Sequence, residues 1–321
     1  MKKILALLCA LSMLFALAAC GQTAAPASSG EKVFSVGVCQ LVQHPALDAA
    51  TKGFTDRLTE LLGDKVSISV QNAAGEIPNC GTIVNQFASD GVDLIMANAT
   101  PALIAAAGTG LPVLGTSITA YAAAFDIDEW DGRSVALNVS GTSDLAPLDQ
   151  QAAMLHDFFP DAKTVGILYC NAEPNSKFQV ETITPFLESF GYKVNRYEFS
   201  ESNEVAPTAT AAVGECDVLY IPTDNTAASC AEAINNVALP AGVPIIAGES
   251  GLCAGCGVAT LSIDYYDIGV ATAEMAYDVL VNGADISTMP IRYAPVFTKM
   301  FNADICSALN IEVPDDFVAI G

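Results

Sequence analysis

Short apolar, β-branched runs alternate with longer amphipathic runs along almost the whole chain, and this alternation limits the fold more than any other feature. Strands are predicted at Val33–Cys39, Val66–Gln71, Asp93–Ala97, Pro112–Gly115 and Ser134–Val139. A second set follows at Thr164–Cys170, Tyr192–Phe199, Asp217–Ile221, Val243–Ala247 and Val258–Ile263. Between them, helical spacing of apolar residues predicts helices at Pro45–Leu62, Gly81–Ser89, Pro101–Ala107, Leu148–Phe158, Ser176–Phe190, Thr226–Val237 and Tyr266–Val281. Strands separated by helices pair in parallel through βαβ units. Two sets of five therefore predict an α/β protein with two doubly wound parallel-sheet lobes. The joins fall near Ser140-Gly141-Thr142 and near Asp264. A length of 321 residues suits two such units.

The first residues read as an export signal. Lys2 and Lys3 precede an apolar stretch from Ile4 to Ala19, and Leu17-Ala18-Ala19-Cys20 follows the pattern of small residues before a cut site. The stretch is short for a spanning helix. A cysteine at the first mature position makes the segment resemble a bacterial lipoprotein signal, with Cys20 as the lipid attachment point. Gln22 to Glu31 is rich in Ala, Ser, Pro, Gly and Thr, which suits a flexible tether. Removing Lys2 and Lys3 would take the formal charge from -23 to -25.

That charge narrows the partners. Thirty-six acidic residues face 13 basic ones, too few to neutralise the phosphates of DNA, RNA or an anionic membrane surface. No nucleic acid is expected, and contact with the membrane is expected only through the lipid anchor. Cysteine usage does not describe a disulfide scaffold. Cys39 and Cys170 end strand-like runs, where a free cysteine behaves as a small hydrophobe. Cys253-Ala254-Gly255-Cys256 sits among Gly251, Gly255 and Gly257 and reads as a loop pair, with a local disulfide or thiol-redox role as the alternative.

Catalytic templates fail. Gly248-Glu249-Ser250-Gly251 has the wrong spacing for a nucleophile elbow. There is no Walker A loop, and Gly108-Thr109-Gly110 lacks the third glycine of a dinucleotide fingerprint. Asp126–Gly132 hints at a calcium loop, but Trp130 and Leu137 occupy positions that need carboxylates, so it reads as a solvated acidic turn. Neither an enzyme nor a cofactor is expected.

In doubly wound sheets, ligands bind beyond the carboxyl ends of the strands. Those ends carry hydroxyls, amides and carboxylates, with no Arg and no Lys before Lys177. Gln40 follows the first strand, Thr100 the third, Thr116 and Ser117 the fourth. In the second half, Asn175 and Ser176 follow the first strand, Asp224 and Asn225 the third, and Glu249 the fourth. Asp264 follows the last. Such groups suit a small polar molecule. Thr100 opens a helix whose N–H groups can hold an anion. The carboxylates, without Arg, suit an ammonium, with Asp224 as its main counter-charge. Gln40 rather than His44 is expected to reach the cleft, His44 being a helix cap before Pro45.

Five runs then resemble a known family: Val36-Gly37-Val38-Cys39-Gln40-Leu41-Val42-Gln43-His44-Pro45-Ala46-Leu47-Asp48, Asn138–Asp144, Tyr169–Ser176, Ile221–Asn225 and Ser262–Gly269. Together they resemble the substrate-binding proteins of ATP-binding cassette (ABC) transporters, in the group that includes tryptophan-type binding proteins. The resemblance runs from Val33 to the C-terminus. It implies a type I periplasmic-binding-protein fold, two lobes joined by a three-strand hinge. Lobe 1 would comprise residues 32–141 and 265–293, and lobe 2 residues 142–264 and 294–321, behind a signal peptide at 1–19 and a lipidated tether at 20–31. The implied partners are a small amino-acid-like ligand and a membrane permease; the implied location is the outer side of a bacterial cytoplasmic membrane. Relatives often carry an Asp where Ala120 stands, and some bind aromatic amino acids, so the resemblance does not by itself assign tryptophan. A ligand sensor for a receptor is the alternative within the same fold.

Overall fold

The computed structural model describes residues 32–128, 130 and 137–320. From β1 (Phe34–Gln40) the chain passes through α1 (Pro45–Leu62), β2 (Val66–Asn72), α2 (Ile77–Asp90), β3 (Leu94–Asn98), α3 (Thr100–Ala107), β4 (Val113–Ile118), α4 (Tyr121–Ala124) and β5 (Val139–Ser143). It then crosses into a second unit. This holds α5 (Leu148–Phe158), β6 (Thr164–Cys170), α6 (Pro174–Ser189), β7 (Lys193–Phe199), α7 (Val205–Val213), β8 (Val218–Ile221), α8 (Asn225–Ser229), α9 (Ala231–Ala241), β9 (Ile245–Ala247), α10 (Ser250–Cys256) and β10 (Ala259–Ser262). α11 (Tyr265–Leu280) and β11 (Arg292–Tyr293) return to the first unit, and β12 (Thr298–Phe301), α12 (Ala303–Leu309) and β13 (Val318–Ala319) to the second.

Two sheets result, ordered β11-β5-β4-β3-β1-β2 and β13-β12-β10-β9-β8-β6-β7. Pairing is parallel apart from β10 with β12. The type I periplasmic-binding-protein architecture predicted from sequence is what the chain adopts. Interior strands are apolar along their length because helices cover both faces: β3, Leu-Ile-Met-Ala-Asn, is buried throughout. The edge strand β2 instead alternates half-buried and exposed residues. One face of the first sheet buries Phe87, Ile95 and Leu103 with α2 and α3; the other buries Phe54, Leu58, Met96 and Met275 with α1 and α11. Proline in the first turn starts α1, α2, α3 and α6 without losing a needed N–H.

α11 is bound to the first unit by backbone contact. A Cβ on Gly53 would stand 2.1 Å from the Tyr266 carbonyl oxygen, and one on Gly269 2.1 Å from that of Ala50. Only hydrogen side chains let α1 and α11 approach so closely.

Three elements differ from the sequence reading. The helix predicted at Thr226–Val237 is two helices, α8 and α9, broken at Cys230 (φ -111°, ψ 15°). Cys253–Cys256 is not a loop but the last turn of α10, because the Glu249 carboxylate accepts the Gly251 and Leu252 N–H groups and starts the helix despite its glycines. The first half of the strand predicted at Ser134–Val139, residues 134–136, lies outside the described residues; the strand found is Val139–Ser143. Cys20 and the leader also lie outside them, as does part of the acidic run Asp126–Gly132.

Candidate functional site

The loops that leave the carboxyl ends of the two sheets meet. His44, just after β1, brings Nε2 to 3.4 Å from Asn225 Oδ1, just after β8. α10 touches α1 beside it: a Cβ on Gly251 would lie 3.2 Å from Pro45 Cβ and 3.4 Å from Ala46 N. The cleft between the lobes is therefore shut, and its polar groups are buried.

On the first lobe, strained backbone turns two hydroxyls inward. Ala99 has φ 90° and aims the start of α3; Ser117 has φ 55° at the irregular end of β4. Such conformations cost about 1–3 kcal/mol and mark positions held for a purpose. Thr100 Oγ1 and Ser117 Oγ are buried with no protein partner, as is Asn98 Oδ1, whose Nδ2 donates to the Leu47 carbonyl and Thr51 Oγ1.

On the second lobe, carboxylates organise the loops. Asp224 accepts from Ala227 N–H with one oxygen and from Cys170 N–H and Ser176 Oγ with the other, all at 2.7–2.8 Å. Glu173 accepts from Thr226 N–H and Oγ1 with one oxygen and from Asn225 and Asn175 with the other. Asn175 Oδ1 is left without a partner. Glu249 spends both oxygens capping α10.

The fourth buried carboxylate is Asp144, at the crossing after β5. Its Oδ2 accepts from Tyr265 Oη at 3.1 Å, and its Oδ1 has no protein partner. Asp144, Glu173, Asp224 and Glu249 are each at most 4% exposed, and no Lys or Arg is buried with them among the described residues. Burial pushes the carboxyl of Asp144 up to about 6 and those of Asp224 and Glu249 up to about 7, since nothing cationic stabilises the charged forms.

The sequence candidates divide on this geometry. Thr100, Ser117 and Asn175 carry buried polar atoms still free. Ser176, Asp224 and Glu249 are buried at the cleft but committed to protein partners. Asn225 joins the lobes through His44. Three candidates lie elsewhere. Gln40 is satisfied inside the first lobe, donating to the Val42 carbonyl and Asp48 and accepting from Thr51. Thr116 points to the opposite face of β4 from Ser117 and pairs with Thr142 and, through it, Thr272 under α11. Asp264 is exposed and caps α11 through the Tyr266 and Asp267 N–H groups. His44 was expected to cap α1; its side chain makes no cap bond there. Asp144 and Glu173 were not singled out, and His44 was weighed and set aside in favour of Gln40. Asp144 and Glu173 do lie inside the runs Asn138–Asp144 and Tyr169–Ser176, where a carboxylate between small polar residues was the available signal.

The thiol-redox alternative has no support. Cys253 and Cys256 stand one turn apart on a single helix, both buried, and burial raises both thiols above their ordinary range, away from the reactive thiolate.

Residues 35–320 match the family of ABC transporter substrate binding proteins. The chain is 33% identical over 290 residues to a tyrosine-binding protein of Clostridioides difficile (strain R20291), covering 89% of this chain and 83% of the relative. Among solved structures it superposes with TM-score 0.83, at 32% identity, on an ABC domain in complex with L-Trp from Streptococcus pneumonia, covering 88% of this chain and 97% of that one. A ligand-free, open substrate-binding protein with adhesive properties from Clostridium difficile gives 36% identity but TM-score 0.66, covering 90% and 99%. The poorer superposition on a protein described as open is in keeping with the shut cleft seen here. By the near-complete span of the family match, this chain belongs to the ABC transporter substrate-binding proteins, which are solute-binding proteins and not enzymes.

Proposed function

We propose that the protein captures an α-amino acid, aromatic in side chain, between its two lobes and delivers it to the permease of an ABC importer. The observation that carries this reading is the unpartnered Asp144 Oδ1, a buried carboxylate oxygen in a cleft without buried Lys or Arg. An ammonium is the group such a site takes up, and Asn98 Oδ1 and Asn175 Oδ1 are further free acceptors for its protons. Thr100 and Ser117 hydroxyls, with the N–H groups opening α3, suit the ligand's carboxylate. Asp144 replaces Asp224 as the expected counter-charge, since the oxygens of Asp224 are engaged by three donors. Asp144 lies alongside Thr119, the neighbour of Ala120: the Asp144 N–H donates to the Ile118 carbonyl and Ser143 Oγ to that of Thr119. It thus stands beside the position where relatives often carry an Asp. The tyrosine- and tryptophan-linked relatives support the aromatic side chain.

The lobes in this reading comprise residues 32–141 with 265–293 and 142–264 with 294–321, and the ligand favours closure by its extra affinity for the closed form. Titration calorimetry with L-tyrosine and L-tryptophan tests it, alongside analogues lacking the ammonium. An analogue without the ammonium that binds as well as its parent would refute the counter-charge argument. Acid should weaken binding. With the carboxyl of Asp144 at about 6, lowering the pH from 7.5 to 5.5 protonates most of it and costs roughly fourfold in affinity from this group alone. Affinity that is flat across this range would exclude Asp144 from the site.

The anchor is part of the same reading. No helix among the described residues is long and apolar enough to cross a membrane. The lipidated residue would be Cys20, and Cys20→Ala should move the protein from the membrane fraction to the soluble one. Detergent partitioning unchanged by this substitution would remove the lipoprotein assignment.

A further inference from the structure

His44 is buried, polar and unused by the ligand reading. It begins α1 with extended backbone (φ -160°, ψ 163°) and caps nothing there. Its side chain crosses to the other lobe and meets Asn225 Oδ1. The Asn225 amide is held in one orientation from behind: Nδ2 donates to Glu173 Oε2 at 2.5 Å and the backbone N–H to the same oxygen at 3.2 Å. The other Glu173 oxygen is fixed by Thr226 N–H and Oγ1. An amide whose nitrogen is committed to a carboxylate can turn only its oxygen to the far side. That oxygen accepts, so the His44 Nε2 must carry the proton. Neutral imidazole then leaves Nδ1 without a hydrogen, and Nδ1 is the buried ring atom that has no protein partner.

Among the described residues, this is the side-chain hydrogen bond that joins the lobes away from the three crossings. The neighbouring approach of Gly251 to Pro45 and Ala46 is van der Waals contact only.

We infer that His44 and Asn225 form the latch of the closed state, with Glu173 as the fixed base that aims Asn225, and that latching holds His44 in the neutral Nε2–H tautomer. A single neutral hydrogen bond of 3.4 Å suits this role. It favours closure without making it irreversible, and opening returns both groups to water. The charged groups facing His44 are Asp48 on its own helix and Glu173 across the cleft, with Asp224 behind Asn225. Despite these carboxylates, burial holds the ring below the ordinary histidine range when the lobes are shut.

The chain has only two histidines, which makes the latch directly observable. His156 is bonded to Tyr192 within the second lobe and serves as an internal reference. Imidazole nitrogen NMR and small-angle scattering are recorded on the same samples, alone and with L-tyrosine or L-tryptophan. Closed dimensions should coincide with an Nε2–H signal from His44 that does not titrate near pH 6.5; Asn225→Ala should abolish that signal and, at subsaturating ligand, shift the scattering toward open dimensions. Closed scattering with an ordinarily titrating His44 overturns the latch, and so does a wild-type protein that stays open in every sample. The kinetic arm rests on the amino-acid reading. His44→Ala should raise the ligand dissociation rate about tenfold, with the association rate within about twofold. His44→Gln, which keeps a donor, should restore most of the loss. A dissociation rate unchanged in His44→Ala overturns the latch. Failure to bind either amino acid, with the NMR signature present, overturns the ligand reading and leaves the latch standing.

Discussion

Asp144→Asn should weaken binding of the cognate amino acid roughly 10- to 150-fold while leaving the protein folded and, at pH 8, more stable than wild type. The affinity loss follows from removing a charged acceptor in a buried site, where such a hydrogen bond contributes about 1.5–3 kcal/mol. The amide keeps the shape and still accepts from Tyr265 Oη, so the crossing after β5 is not disturbed. The stability gain follows from burial. The carboxyl of Asp144 is raised to about 6 in the folded protein, so the ligand-free fold prefers its protonated form. Its cost to wild type is absent below the unfolded value near 4, grows as pH rises, and is complete above about 6, reaching up to about 2–3 kcal/mol. The two proteins should therefore melt together near pH 4.5 and diverge by pH 8. Asp224→Asn should not share the gain. Its carboxyl is raised too, but an amide offers one acceptor oxygen where the carboxylate takes three donors, so the bonds lost at the start of α8 and to Cys170 and Ser176 outweigh the relief of burial. Titration calorimetry and melting of both variants separate the roles. An Asp144→Asn protein that binds like wild type, or an Asp224→Asn protein that loses affinity without losing stability, would return the counter-charge to Asp224.

The fold was legible because burial on both faces writes a strand into sequence without ambiguity. Leu94–Asn98 and Thr164–Cys170 have no solvent face, so their apolar runs are continuous and their bounds nearly as read. Pro45 fixed the start of α1 to the residue. Local signals misled where a single side chain outweighed composition. Glu249 caps a glycine-rich segment into helix, and Asp224 caps the start of α8, which ends at Cys230 before α9 begins. α7 went unread because Val205–Val213 is mostly Ala and Thr with Pro207 in its first turn, a weak period. β11 and β13 are two residues long and carry no pattern at all. The strand ends located the cleft but not which polar groups remain available there. Asp224 and Glu249 look in sequence like free carboxylates; their donors are backbone N–H groups and, for Asp224, the Ser176 hydroxyl, which only the folded chain brings to them. Asp144 and His44 are the reverse case. Their importance comes from what is missing around Asp144 Oδ1 and from what Asn225 presents to His44, and neither is a property of neighbouring residues in sequence.

Gly141→Ala should lower the melting temperature by about 10 °C or more, the largest stability loss expected of a single methyl group in the site region. Gly141 lies in β5 opposite Gly115 of β4 with φ 143°, a region L side chains avoid. A Cβ there would stand 2.0 Å from the Gly115 carbonyl oxygen and 2.6 Å from both Gly115 N and Tyr121 Oη. Two of these atoms are buried backbone, so nothing flexible can yield. Tyr121 Oη bridges the Gly115 and Thr142 carbonyls, so pushing it away breaks that tie as well. Strain of the dihedral and overpacking together cost about 3–5 kcal/mol, at roughly 2–4 °C for each kcal/mol in a chain of this size. The damage also reaches the ligand, because β4 and β5 carry Ser117 and Asp144 at their ends. Parting them by a few tenths of an ångström separates the Ser117 hydroxyl from the Asp144 carboxylate, the two groups proposed to hold the ligand, so on that reading the folded remainder should bind more weakly too. Gly283→Ala is the control. Gly283 has φ 69°, also left-handed, but no atom lies within 4 Å of its added Cβ, so its cost is dihedral strain alone, about 1–2 kcal/mol. Calorimetric melting of the two variants compares close approach with backbone strain. If Gly141→Ala melts no lower than Gly283→Ala, the contact with Gly115 does not set the spacing of β4 and β5.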